Sequence, residues 1–99
     1  MQGKRFRIRD EIAWRKMKDG TVTIVSPLIE KILSINTTAG MIWDLLDGTH
    51  SAEEIVDFLY EKFKHEGVSR ATIEHDVHEI LATFVKRQLV EQIVDSTET

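Results

Sequence analysis

At 99 residues and 11.4 kDa the chain has room for one small domain, and 41% apolar residues suffice for a self-standing core. The lack of cysteine excludes a disulfide scaffold, a thiolate metal site, a Cys nucleophile and a C-x-x-C redox motif, and fits a reducing or indifferent compartment. The net charge of −4 divides into +5 over residues 1–18 and −9 over the rest, which argues against a general polyanion binder.

Apolar stretches fall well short of the roughly 20 residues that a bilayer span needs, and no apolar h-region follows the charged N-terminus, so a cytoplasmic protein is expected. Residues 1–10 form a basic segment in which Phe6 and Ile8 alternate with charges; a loose arm and an edge strand both fit it. The domain proper is expected over 11–94. Ile12 to Met17 and Thr21 to Val25 are β-rich runs around Lys18-Asp19-Gly20, the signature of a hairpin. Ser26-Pro27 stops the second run, and Leu28 to Ile35 supplies a third strand.

Asn36 or Thr37 caps a short helix with Ile42, Leu45 and Leu46 on one face, ended by Asp47-Gly48. Ser51 and Glu54 form a capping box that opens a second helix to about Lys64, with Ile55, Phe58, Leu59 and Phe63 at helical spacing. Ser69 caps a longer third helix, ending near Gln88, whose apolar face is Ile73, Val77, Ile80, Leu81 and Phe84 with Val85 at its margin. Leu89 to Val94 predicts a last short strand, and 95–99 is a polar tail. The fold class is α+β, a three-stranded antiparallel sheet followed by three helices. The second and third helices can form a helix-turn-helix with the sheet as its wing.

Catalytic signals are absent: no G-x-S-x-G elbow, P-loop or G-x-G-x-x-G occurs, so the chain is not read as an enzyme and no cofactor is expected. His75 and His78 are helical neighbours within Glu74 to Glu79, but no zinc pattern accompanies them, and a solvated helix face is expected instead of a metal site. Lys4, Arg5, Arg7 and Arg9 are the best nucleic-acid feature and keep a winged-helix DNA-binding regulator as the alternative. Against it, Ser69 to Gln88 has zero net charge, with Glu74, Asp76 and Glu79 in the half that would approach bases. Trp14 and Trp43 read as packing residues. In the third strand Ile32 sits opposite Leu33 and Ile35, so either both faces are covered or an apolar position is left open. A short edge strand beside an apolar helix meets the physical requirement for adding a guest strand.

The run Ser34-Ile35-Asn36-Thr37-Thr38-Ala39-Gly40-Met41-Ile42-Trp43-Asp44-Leu45-Leu46-Asp47-Gly48 resembles the L-N-x-x-A-x-x-I-W-x-L-x-D-G signature of the coenzyme PQQ synthesis protein D (PqqD) family. Glu54-Ile55-Val56 with Leu59, Asp76-Val77 with Ile80-Leu81, and Leu89-Val90 are similar to its later helices and final apolar pair, so the likeness covers about residues 11–93. The resemblance implies a winged helix-turn-helix-like RiPP precursor peptide recognition element. Such a module is a non-catalytic chaperone that holds the leader of a ribosomally made precursor as a strand added to strand three, closed over by helix three. It presents the leader to a modifying enzyme of the radical S-adenosylmethionine type, as in PQQ or related biosynthesis. On that basis Glu30, Lys31, Ile32, Leu33 and Ser34 are expected to supply the strand bonds, Ile73, Val77 and Ile80 the apolar pockets, and Asp76 their flank. The sequence departs from the family pattern at Ile35 for Leu, Glu30-Lys31 for Glu-Gly, and Gln88 for a Gly before the last apolar pair. The expectation therefore attaches to peptide recognition more than to PQQ itself.

Overall fold

The computed structural model describes residues 4–27 and 29–93, with main chain alone at 29–31. Arg5–Ile8, Ala13–Lys16, Val22–Ser26 and Ile29–Ile35 are strands β1 to β4; Thr37–Trp43 is helix α1 and Asp47–Ser51 is β5. Ala52–Phe63 is α2, followed by a single 3-10 turn at Lys64–Glu66; Arg70–Lys86 is α3 and Val90–Ile93 is β6. Leu28, Val94 and the polar tail at 95–99 lie outside the described residues.

The α+β class holds, but the expected single sheet followed by helices does not: there are two antiparallel three-stranded sheets, ordered β5-β1-β6 and β2-β3-β4. Arg5–Ile8 is neither an arm nor an edge. It is the middle strand of its sheet, with Arg7 beside Asp47 on one side and Glu91 on the other. Asp47-Gly48 is likewise not a helix stop. The helix ends at Trp43 and Asp47 begins β5.

The same three-residue device serves both sheets. In Asp19-Gly20-Thr21 and Asp47-Gly48-Thr49 the Asp Oδ1 accepts the Thr amide (3.0 and 2.9 Å) and the Thr hydroxyl (2.7 and 2.6 Å). Each glycine takes the left-handed backbone (φ +91° and +90°) that other residues adopt only with strain. These bonds, the hydroxyl foremost, hold both carboxyls below the usual Asp range.

The helices begin where the caps predict. Asn36 Oδ1 accepts Ala39 N (2.9 Å), Ser51 and Glu54 exchange both bonds of a capping box, and Ser69 Oγ accepts Thr72 N (3.1 Å). Helix α3 stops in a Schellman motif, Leu89 N to Phe84 O (2.9 Å) and Gln88 N to Val85 O (3.0 Å), which places Gln88 at φ +62°. The residue that stands for the family glycine thus occupies a backbone position that favours glycine.

One core joins both sheets to the helices. Phe6 of β1, Val22 and Ile24 of β3, Ile42 and Trp43 of α1, Ile55, Val56 and Leu59 of α2, Val77, Leu81 and Phe84 of α3, and Leu89 and Val90 are all buried in it. Phe58, expected on the apolar face of α2, is exposed under Lys62, and Val56 takes the inward place. Trp43 is buried edge-on to Phe84 (5.2 Å), while Trp14 rests on Trp43 (6.1 Å) with 44% of its surface open. Helix α1 lies close on the β2–β3 turn: a Cβ at Gly40 would stand 2.7 Å from Gly20 O.

Candidate functional site

Strand β4 pairs with β3 on one side, and no described strand pairs with the other, so its outer N–H and C=O groups are open to a guest. The register sets Ile24 beside Leu33 and Val22 beside Ile35, so Leu33 and Ile35 pack against the core. Ile32 lies on the other face, 71% exposed, which settles in favour of an open apolar position the choice that the sequence left.

A recess of about 340 Å³ lies between the end of β4, the start of α1 and the middle of α3. Ser34, Ile35, Asn36 and Ala39 line one side of it, and Glu79, Ile80, Thr83 and Phe84 the other. The Asn36 cap fixes the chain where β4 turns into α1, and Gly40 lets α1 sit against the hairpin, so the wall facing α3 is set by local structure. Floor and rim differ in chemistry. Phe84 is buried and Ile80 half-buried, while exposed Glu79, with His75 Nε2 3.5 Å from its carboxylate, is the one charged group of the lining. The arrangement offers main-chain bonds, one apolar pocket and an acidic rim; it is suited to holding a peptide.

The sequence-expected residues divide. Ser34 and Ile80 meet in this recess, and Ile32 and Leu33 lie on the strand beside it. The main chain of Glu30 and Lys31 belongs to β4, and their side chains lie outside the described residues. Ile73, Asp76 and Val77 line a separate recess of about 170 Å³ with Thr38, Ile42, Leu59, Phe63 and Val68. Val77 is wholly buried and Ile73 nearly so. Sequence reasoning missed Glu79, Thr83 and Phe84; their i, i+4 spacing along the helix from Ile80 and Glu79 was the available signal. A further recess, about 520 Å³, lies on another flank of α3, lined by Lys4, Phe6, Glu53, Glu74 and His78 among others, and belongs to the β1 sheet.

A small α+β domain with an open strand edge beside a helix-lined groove is a binding module in form. The family model of coenzyme PQQ synthesis protein D (PqqD) matches residues 18–90, and the chain belongs to that family. No curated protein matches it. Among solved structures it is similar to TbiB1 in complex with the TbiA(beta) leader peptide (25% identity, TM-score 0.75), over 90% of this chain and 99% of that one. It is similar in fold to lasso peptide synthetase B1 complexed with the leader peptide (24% identity, TM-score 0.70; 87% and 96% covered). A part of the heterocyclase TruD shares the fold (14% identity, TM-score 0.62; 96% of this chain, 12% of that one).

Proposed function

We propose that the chain is a non-catalytic recognition module that binds the leader of a ribosomally made precursor by strand addition along β4 and presents it to a modifying enzyme, of the radical S-adenosylmethionine type in the PQQ pathway. The observation that carries the reading is the open edge of β4 beside the α3 groove, in a family member whose structural neighbours TbiB1 and lasso peptide synthetase B1 were solved with leader peptides. On this reading main-chain groups of Glu30 to Ser34 pair with the guest. Ile80 lines the apolar pocket, and Ile73, Asp76 and Val77 line the neighbouring one. A helix-turn-helix-like relation of α2 and α3, with the β2–β4 sheet as wing, belongs to the same reading, as does a cytoplasmic setting, with which the lack of cysteine agrees. Among the described residues no helix is long and apolar enough to cross a membrane.

Magnitudes show what the pocket must do. Each added strand bond contributes roughly 1 kcal/mol, while ordering each guest residue costs about 1–2 kcal/mol, so side-chain burial must supply the surplus. The DNA-binding alternative gains nothing from the arginines: Arg7 is paired with Glu91 and Asp10, and Arg9 with Glu11, within or next to a central strand.

An NMR titration with synthetic leaders of candidate precursors tests the proposal. Expected are amide shifts along β4 and at Ile80 and Thr83, with an affinity that changes little with salt. Shifts confined to Lys4–Arg9 or α2, or tight, steeply salt-dependent binding to duplex DNA without peptide binding, contradict it.

A further inference from the structure

The outer face of the β2-β3-β4 sheet carries a pattern of which the groove lining includes Ser34 alone. Register places Ala13 beside Val25 and Val25 beside Ile32, and in the next outward row Arg15 beside Thr23 and Thr23 beside Ser34. Two rows therefore cross this face, one apolar and one polar, and both end at the open edge of β4. Exposure is 47% at Val25 and 71% at Ile32, the most exposed large apolar side chain among the described residues. Single exposed apolar residues need no explanation. A contiguous row ending in a β-branched residue at an unpaired edge does, because edges are usually blunted by charge, as Arg15 and Lys16 do on β2.

Resting on the function proposed above, we propose that the guest strand is read on both faces. The guest residue beside Ile32, on the face away from α3, is itself β-branched or aromatic, and the one two positions along, beside Ser34, is polar. The residue between them points to the inner face, on which Leu33 and Ile35 lie. The occupant is the leader and not a second protein, because strand addition continues both rows without any further surface. Side chains on adjacent strands approach within contact distance, and apolar pairs there stabilise the sheet. Ile32 is thus a specificity-determining side chain in addition to a donor of main-chain bonds.

The probe is a random peptide library displayed on phage, selected in parallel against the wild-type chain, Ile32→Lys and Ile80→Glu. Ile32 is exposed, so its variant should keep the wild-type thermal midpoint, checked by circular dichroism. Expected from the wild type is a consensus with a β-branched or aromatic residue at one position and polar residues two along. Against Ile32→Lys that first position should turn to Asp or Glu while the inner position is unchanged, and wild-type-selected peptides should bind about fivefold more weakly. A consensus that depends on Ile80 but is indifferent to Ile32 overturns this inference and leaves the groove reading standing; the outer face is then free for another occupant, such as the modifying enzyme. A selection that yields no binders, or binders indifferent to both substitutions, overturns the inference and the function beneath it together.

Discussion

Among the described residues no further strand pairs with either edge of the β2-β3-β4 sheet, and the two edges differ in what lies beside them. Strand β2 is exposed throughout, carries Arg15 and Lys16, and is tied by Lys16 to Asp44 at the end of α1. Strand β4 is apolar along most of its length and opens onto a groove whose far wall is α3. Among the described residues both edges lack a strand partner, so main-chain geometry alone does not distinguish them. On the function proposed above, the helix-lined pocket beside β4 is what selects that edge over β2.

The largest expected effect comes from breaking one edge at a time. Proline at whichever of Ile32 and Leu33 turns its N–H to the open edge removes a guest-facing donor from β4 and should weaken leader binding about a hundredfold, whereas proline at the outward-facing N–H of β2 should leave affinity within a few-fold. Isothermal titration with the same peptide compares them. Next is the packing that shapes the groove wall: Gly40→Ala forces a methyl against Gly20 O and Val22, and should cost about 2 kcal/mol in urea unfolding, with weaker binding as α1 is displaced.

A smaller change sharpens the contrast from the other side. Gln88→Gly relieves the left-handed backbone after α3 and should add about 1 kcal/mol of stability while leaving binding at β4 unchanged, since Gln88 leads into the other sheet. Smallest is the acid response of the paired turns. The carboxyls of Asp19 and Asp47 are held below the usual range, chiefly by the hydroxyls of Thr21 and Thr49. Their stabilisation is present above the ordinary Asp pKa and is lost as pH falls through the lowered, folded values. Thr21→Val and Thr49→Val should each flatten the acid side of the urea midpoint against pH.

Those two turns also show why part of the fold was legible in the sequence and part was not. Asp19-Gly20 lies between two β-rich runs and reads as a hairpin, while the same turn at Asp47-Gly48 follows a helical pattern and reads as a stop. What makes 47–51 a strand is pairing with β1, 40 or more positions away in sequence, and Asp-Gly-Thr-His-Ser has no strand signature of its own. Arg5–Ile8 stayed undecided for the same reason: Arg7 meets Glu91 across 84 positions. Caps, by contrast, are local chemistry: Ser51 and Ser69 are readable outright, and the first is narrowed to Asn36 or Thr37, of which Asn36 is the cap. Helical periodicity places Ile73 and Val77 on the apolar face of α3 and reports burial, which both show; their expected part in binding came from the family resemblance. Glu79, Thr83 and Phe84 join the groove only through the orientation of α3 toward β4, which periodicity does not encode.

Amide hydrogen exchange, residue by residue, with and without a bound leader peptide, reads directly whether a guest strand pairs with β4. New protection is expected along Glu30–Ser34 of β4, with β2 and β6 unchanged. Equal protection on β2, or protection that appears along β6 while β4 stays open, would contradict it.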